Sequence, residues 1–236
     1  MQLPGGEGRA WLAGDVVLKP LALSMSKVEL RWQGEVLGSL RPEGVRVAHP
    51  VPAGDGRLAV DGWYALARLE GRHEERRWLD VIAAGDLLHS ALIRVPRPAF
   101  IGGRTDPWAI GDRVAWGELG PEPFLETEHV ARLLAALEPL DEPSQLVHGD
   151  LTGNVLFAEG LPPAVIDFAP YWRPRAFAAA IVVADALVWE GADDTLLDAA
   201  PRQHVLRALI YRLVVNRLFG GNDDFAPAVE LALIRK

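Results

Sequence analysis

A chain of 236 residues without cysteine cannot contain a disulfide framework, a thiolate metal site or a cysteine nucleophile. The net charge of −8 argues against a nucleic-acid partner, and the longest apolar stretch, residues 176–189, is too short to span a membrane and contains Asp185. The N-terminal residues lack the charged and apolar regions of a secretory signal, so we expect a cytoplasmic protein without a membrane partner.

The first 70 residues predict a small, mostly antiparallel β-sheet with one helix. Residues 9–21 contain two short apolar runs around a turn at residues 14–15, and further strands are expected at 45–51 and 57–69. The segment 57–69 is typical of a hairpin, because Asp61-Gly62 lies between two apolar runs. Between these strands, four-residue spacing of apolar side chains predicts an amphipathic helix with a stripe of Val28, Trp32, Val36 and Leu40.

From residue 71 onward the pattern changes to helices. Helical periodicity covers 76–95, 125–140 and most of 173–236, with a break at 220–222, and a shorter helix is expected around 106–118. Residues 146–157 are expected to form a strand–loop–strand hairpin, and 161–170 supply one more strand. The chain is therefore predicted to have an α+β fold with two lobes, 1–70 and 71–236.

The parts needed for phosphoryl transfer from ATP occur in a workable order along the chain. This reaction depends on a glycine-rich phosphate cover, a lysine, a base beside the acceptor hydroxyl, and oxygen ligands for Mg²⁺. Lys19 follows two apolar residues and is one of three lysines among 24 basic residues, which favours a specific role. The candidate parts are Gly5, Gly6, Gly8, Lys19, Asp150, Asn154 and Asp167.

The run VHGDLTGNVLF followed by AVIDFAP resembles the catalytic core of the aminoglycoside phosphotransferase family, whose members share the protein-kinase fold. The resemblance extends from the glycine-rich turn to the helix at 173–190. It implies a protein-kinase-like fold, with 1–70 as the nucleotide-binding lobe and 71–236 as a helical lobe that contains the catalytic loop and the substrate region. The run PYWRP further resembles an uncharacterised actinobacterial-type subgroup.

The resemblance also implies a role for each residue of the motif. Asp150 would be the catalytic base, and Asn154 and Asp167 would bind Mg²⁺. His148 and Asp185 would support the catalytic loop, with backbone N–H groups of that loop as the expected donors to the buried carboxylate of Asp185.

The remaining implied residues would bind the nucleotide. Lys19 would contact its phosphates beneath the cover formed by Gly5, Gly6 and Gly8, and the segment 67–70, with Leu69, would be the hinge that meets the adenine. A helix glutamate is expected to pair with Lys19. Glu29 lies within the apolar stripe, although Ser26 and Glu29 also fit a capping box, and Glu35 is the alternative.

The implied activity is transfer of the γ-phosphoryl group of ATP or GTP to a hydroxyl group of a small molecule, with Mg²⁺ as cofactor. The interval from Asn154 to Asp167 matches the family, whereas the interval from Asp150 to Asn154 is one residue shorter than usual, and a strand before Gly5 is expected to be absent. Two alternatives therefore stay open. One is a pseudokinase-like protein that binds a nucleotide or metabolite without turnover, and the other is a metallohydrolase that uses His148, Asp150 and Asp167.

Overall fold

The computed structural model describes residues 1–3, 9–21 and 25–235, and the chain divides into two compact units. The first unit is Met1–His73 with Asn154–Phe168, and the second is Glu74–Gly153 with Ala169–Lys236. The sequence prediction placed segment 154–168 with the helical part, so the structure differs from that division there. No helix within the described ranges combines the length and apolarity needed to cross a bilayer.

Strands dominate the first 70 residues of the described chain, and helices dominate the remainder. In chain order the elements are β1 (Trp11–Ala13), β2 (Val16–Pro20), α1 (Lys27–Ser39), β3 (Arg46–Val47), β4 (Pro50–Val51), β5 (Ala59–Val60), β6 (Trp63–Ala67), α2 (Trp78–Leu92), α3 (Pro107–Ala115), α4 (Glu128–Ala135), β7 (Gln145–His148), β8 (Val155–Ala158), β9 (Leu161–Val165), β10 (Pro170–Arg173), α5 (Arg175–Trp189), α6 (Arg202–Leu218) and α7 (Ala226–Ile234). Short 3₁₀ turns cover Ala99–Gly103, Glu122–Phe124 and Asp194–Ala199.

The first unit is built on an antiparallel sheet in the order β1-β2-β6-β4, and β5 also pairs with β6. Its two predicted hairpin turns are present, since Gly14 has φ +60° and the Asp61-Gly62 pair has φ +49° and +79°, as a two-residue turn of this kind requires. Gln2 forms an antiparallel bridge with Trp11. This is an isolated bridge, and in the described part of the chain no strand precedes β1.

Helix α1 is present as predicted, but its buried face is not the predicted stripe. The Ser26 side chain caps its first turn by accepting the Glu29 N–H, at 3.0 Å. Val28 is 67% exposed, and the buried side chains are Glu29, Leu30, Gln33 and Leu37. The apolar stripe misplaced this face because two of the four buried side chains are polar and hydrogen-bonded.

Segment 45–51 forms two strands rather than the single predicted one. β3 pairs in parallel with β9, whereas β4 pairs antiparallel with β6. β8 and β9 form an antiparallel hairpin, and the pairing of β3 with β9 connects that hairpin to the rest of the first unit by backbone hydrogen bonds. These backbone hydrogen bonds explain why segment 154–168 belongs to this unit, although in sequence it follows the helical region.

The second unit is mainly helical, with α5 and α6 at its centre. α5 is apolar at almost every position and α6 is buried over most of its length. β7 pairs with β10 in register His148↔Pro170, so β7 and β8 do not form the predicted hairpin with each other. β10 is a strand that the sequence reasoning missed, because Pro170 ends the predicted strand 161–170 and Arg173 begins the predicted helical region.

Candidate active site

In the first unit, the Lys19 ammonium donates to the Asp167 carboxylate although 148 positions separate the two residues. Their side chains are 20% and 27% exposed, so the ion pair is accessible to a ligand. β2 places Lys19 on the sheet, and Asp167 follows β9. The fold thus brings the lysine proposed from the sequence to bind phosphates next to a candidate metal ligand.

Asn154 lies close to Asp167 because both flank the β8–β9 hairpin at the same end. Val155 is the register partner of Val165, and the Ile166 N–H donates to the Asn154 carbonyl at 2.9 Å. Asp167 itself has φ +51°, a left-handed conformation that is uncommon for a residue with a side chain. Backbone strain of this kind is typical of functional positions, and here it turns the chain at the end of the strand.

Glu29 and Tyr64 lie beside this ion pair. Tyr64 is the strand partner of Lys19 in the β2–β6 ladder. Burial raises the pKa of the Tyr64 hydroxyl, and the negative charges of Asp167 and Glu29 raise it further. We call Lys19, Glu29, Tyr64 and Asp167 the Lys19 cluster.

The two candidate glutamates of α1 have different surroundings. Glu29 is 5% exposed, and the Gln33 amide reaches both its carboxylate, at 3.4 Å, and the Phe168 carbonyl, at 3.2 Å. Glu35 is exposed on the same helix. The electrostatic effect on Tyr64 and the burial of Glu29 favour Glu29 as the glutamate of the cluster.

The donor set of the first unit fits Mg²⁺ delivered with a nucleotide. Asp167 offers carboxylate oxygens and Asn154 an amide oxygen, which are the ligand types that Mg²⁺ accepts when phosphates and waters complete its octahedron. Throughout the described ranges, no group of three or more His, Asp and Glu residues is placed to hold a metal ion by itself. The site therefore matches a shared metal–phosphate site rather than an all-protein cage.

In the second unit, the loop 149–153, which we call the catalytic loop, is held by two buried histidines. The Asp150 N–H donates to His148 Nδ1 at 3.1 Å, and the His148 N–H donates to His89 Nε2 at 3.0 Å. His148 is 0% and His89 1% exposed. Burial lowers the pKa of His89 to about 3, with smaller contributions from His148 and Arg175, so this imidazole is neutral and able to accept.

The Asp150 side chain contacts Arg212 of α6. Arg212 Nη2 donates to Asp150 Oδ1 at 3.0 Å, and its guanidinium also donates to both carboxylate oxygens of Asp185, at 2.6 Å each. The donors to the Asp185 carboxylate are therefore N–H groups of the Arg212 guanidinium. The expectation that backbone N–H groups of the loop donate to Asp185 is wrong. Burial alone would lower the pKa of Arg212, but electrostatic interaction with Asp185, Tyr211 and Asp150 raises it well above its ordinary value.

The short interval between Asp150 and Asn154 is closed by a tight turn. Gly153 has φ +76°, which an L-residue adopts only with strain, and Leu151, two residues earlier, is buried with 1% exposure. Leu151 packs against α2 at Gly85. A Cβ added to Gly85 would lie only 2.4 Å from the leucine Cδ1, so this close contact requires glycine at position 85. The turn and the leucine anchor hold the loop at the point where the chain passes from the second unit to the first.

The other nucleotide-binding candidates have different outcomes. Leu69 follows β6, and hydrogen bonds fix the residues on either side of it. The Arg68 N–H donates to the Asp15 carbonyl, and the Glu70 carbonyl accepts from the Arg46 side chain. This position at the end of the sheet is compatible with an adenine-facing hinge. The proposed phosphate cover, Gly5, Gly6 and Gly8, lies outside the described residues.

Sequence reasoning missed His89, Tyr64 and Arg212. His89 lies within a helical pattern, and nothing in such a pattern marks its bond to a residue 59 positions away. The sequence did contain a signal for Arg212, because this charged residue lies inside the apolar run ALIYRLVV and a buried charge requires a partner of opposite charge. Asp185 in the apolar run of α5 has the same requirement. Pairing these two isolated charges would have found the contact.

The structure resembles solved kinases of small molecules. An aminoglycoside phosphotransferase from Alicyclobacillus acidocaldarius subsp. acidocaldarius DSM 446 has a TM-score of 0.54 at 15% identity, covering 96% of this chain and 86% of that one. A thermostable mutant of aminoglycoside phosphotransferase APH(4)-Ia, in ternary complex with ADP and hygromycin B, gives 0.55 at 15% identity, with 98% and 91% covered. The microcompartment-associated aminopropanol kinase gives 0.53 at 17% identity, with 92% and 82% covered.

These likenesses confirm the predicted α+β, protein-kinase-like fold. A search of curated proteins found no match to the chain. The family model described as the phosphotransferase enzyme family matches residues 5–206, well over half of the 236 residues. That range includes the Lys19 cluster, the catalytic loop and Asp185. The chain belongs to the phosphotransferase enzyme family.

Proposed function

We propose that this protein transfers the γ-phosphoryl group of ATP or GTP to a hydroxyl group of a small molecule, with Mg²⁺ as cofactor. The observation that carries the proposal is the ion pair between Lys19 and Asp167, in an accessible cluster with a glutamate and a tyrosine. A lysine beside a metal-binding carboxylate is what neutralisation of nucleotide phosphates requires. Family membership supports the same chemistry.

In the proposed reaction the first unit binds the nucleotide. Asp167 and Asn154 would hold Mg²⁺, which, when bound, neutralises charge on the transferring phosphoryl group. Lys19 would leave Asp167 to contact the phosphates, and Glu29 would then steady its ammonium. The Leu69 backbone would meet the base, and Gly5, Gly6 and Gly8 would cover the phosphates.

The catalytic loop of the second unit supplies the acceptor side. Asp150 would accept a hydrogen bond from the acceptor hydroxyl, orient its oxygen towards the γ-phosphorus, and take its proton as the new O–P bond forms. In the same displacement the bond from the γ-phosphorus to the β–γ bridging oxygen would break, and ADP or GDP would leave. Asn154 is the fourth residue after Asp150, so the extended chain limits the distance between their Cα atoms to about 14 Å. This covalent limit is compatible with the proposal that Asp150 acts on a nucleotide held by Asn154 and Asp167.

The acceptor class follows from the nature of the family and its solved relatives. The relatives described above act on or bind hygromycin B and aminopropanol, according to their descriptions, and both compounds carry hydroxyl groups. We propose a small hydroxylated acceptor, either aminoglycoside-like or a metabolite.

Two other functions were compatible with the sequence. A metallohydrolase centred on His148 is not supported, because His148 Nδ1 accepts the Asp150 N–H and the described residues contain no metal-binding cluster. A nucleotide-binding protein without turnover rested on the short interval before Asn154 and on the expected absence of a strand before Gly5. The Gly153 turn accommodates that interval, and Asn154 still lies at the hairpin end beside Asp167.

The test measures nucleotide binding and turnover separately. ATP and GTP should raise the melting temperature only in the presence of Mg²⁺, and the wild-type chain should form ADP or GDP slowly with water and faster with a matching acceptor from a panel of amino alcohols and aminoglycosides. Asp150→Ala should keep the Mg²⁺-dependent stabilisation and lose nucleotide turnover. Stabilisation of the wild type without any turnover would favour the binding protein instead.

A further inference from the structure

The contact between Arg212 and Asp150 exceeds what the neutralisation of a buried charge requires. Arg212 has a side chain that is 9% exposed, and its pairing with Asp185, 3% exposed, already provides two hydrogen bonds of 2.6 Å. A buried guanidinium needs such a partner to offset its loss of hydration. The third bond, to Asp150, is an additional link to a side chain that is 46% exposed.

The geometry of this link is specific to arginine. Nη2 of Arg212 carries two hydrogens, and it donates to Asp185 Oδ2 and to Asp150 Oδ1. Because the guanidinium is planar and its donors are fixed in a fork, the position of Asp185 determines where Asp150 can bind. A lysine ammonium has the charge but not the fixed directions.

Arg212 also completes the support of Asp150. The backbone N–H of that residue donates to His148 Nδ1, and the bond from Arg212 holds one oxygen of its carboxylate, so both the backbone and the side chain of Asp150 have a fixed contact. A half-exposed aspartate has several rotamers to choose from, and the bond from Arg212 selects one of them. Catalytic groups must be held within a fraction of an ångström of the productive position.

We propose that Arg212 is a positioning residue for Asp150, and that Asp185 acts on the catalytic loop through Arg212. The inference rests on the proposed function, in which Asp150 orients the acceptor hydroxyl. Loss of the fork lowers the rate of transfer, because the base then spends most of its time in unproductive rotamers. Nucleotide binding is unaffected, since that task belongs to the first unit.

The kinetic test compares matched substitutions of two arginines of α6. Arg212→Lys keeps the charge and should lower kcat for nucleotide turnover about 10- to 100-fold, with KM for the Mg²⁺–nucleotide complex changed less than about twofold. Arg207 is equally buried, but its guanidinium donates to Gln203 and Glu138. Arg207→Lys should keep the wild-type kcat.

A second variant separates positioning from folding. Arg212→Gln combined with Asp185→Asn removes both buried charges together, so neither is left unpaired, and it should show the same loss of kcat with a cooperative melting transition. If this double variant folds, binds nucleotide and retains the wild-type kcat, the proposal is overturned.

A spectroscopic readout keeps the inference distinct from the proposed function. With ¹⁵N-labelled arginine, the Arg212 side-chain signals are assigned by their loss in Arg212→Lys. Asp150→Asn should shift these signals and leave those of Arg207 unchanged, whether or not any turnover is found. An absence of turnover in the wild type would contradict the proposed function, whereas Arg212 signals that do not respond to Asp150→Asn would contradict the contact itself.

Discussion

Replacement of His89 by glutamine should make the protein less sensitive to acid. In the folded chain His89 Nε2 accepts the His148 N–H, and burial lowers the pKa of His89 to about 3 from an ordinary value of 6.5. The unfolded chain therefore binds a proton at His89 below pH 6.5 while the folded chain does not. The stabilising contribution is complete above pH 6.5 and is lost as the pH falls towards the folded-state value.

The magnitude follows from the width of that interval. Each pH unit between the two pKa values costs about 1.4 kcal/mol of the free energy of unfolding, so two units, from pH 6.5 to about 4.5, cost about 2.7 kcal/mol. In the variant, the amide oxygen of the introduced glutamine would reproduce the acceptor at the position of Nε2, but it has no proton to gain. The stability of the variant should thus decline less, by about that amount, over the same range.

Urea unfolding at about pH 7.5 and about pH 4.5, followed by circular dichroism, measures the two declines. His73 is exposed, so His73→Gln is the matched control and should keep the wild-type dependence on pH. If the wild type and His89→Gln lose the same free energy of unfolding between these pH values, His89 is not the neutral buried acceptor described above.

Two further substitutions test the Lys19 cluster and the catalytic-loop turn. Lys19→Gln releases Asp167 from its ion pair, so it should tighten binding of Mg²⁺ alone about fivefold, because a partly exposed pair contributes about 1 kcal/mol, and it should weaken binding of the nucleotide. Lys27→Gln, at an exposed position, is the control and should change neither affinity. If calorimetry with MgCl₂ shows the same affinity in Lys19→Gln and the wild type, Lys19 does not compete with Mg²⁺ for Asp167. In Gly153→Ala the added Cβ meets no atom within 4 Å, but the alanine must adopt φ +76°, so the free energy of unfolding in urea should fall by about 1–2 kcal/mol. Gly38→Ala in α1 is the control and should be stabilising. Equal stability of Gly153→Ala and the wild type would show that the turn is not held in this conformation.

Local patterns predicted much of the fold. The Gly14 and Asp61-Gly62 turns, the hairpins around them and the long helices α2, α5 and α6 depend on neighbouring residues, and all occur where the sequence placed them. The pairing of strands could not be predicted in the same way. β7 and β8 are adjacent in sequence, yet they pair with β10 and β9, because hydrogen-bonding partners are chosen by the whole fold.

The candidate site divides along the same line. The residues of the motif, from Asp150 to Asp167, are predicted from spacing and resemblance. His148 and Asp185 were also proposed as supports from the resemblance, but Arg212 and His89 were not, since they act on partners 62 and 59 positions away. The buried face of α1 was misplaced for a related reason, because Glu29 and Gln33 are buried through hydrogen bonds that hydrophobic periodicity ignores.

The central claim is that Asp150 directs the γ-phosphoryl group to an organic hydroxyl. The most direct measurement follows that phosphorus by ³¹P spectroscopy in reactions of Mg²⁺–ATP with the acceptor panel, comparing the wild type with Asp150→Ala. We predict a phosphomonoester signal in the wild type, and none in Asp150→Ala at matched nucleotide occupancy. Phosphomonoester formation at the wild-type rate in Asp150→Ala would contradict the account.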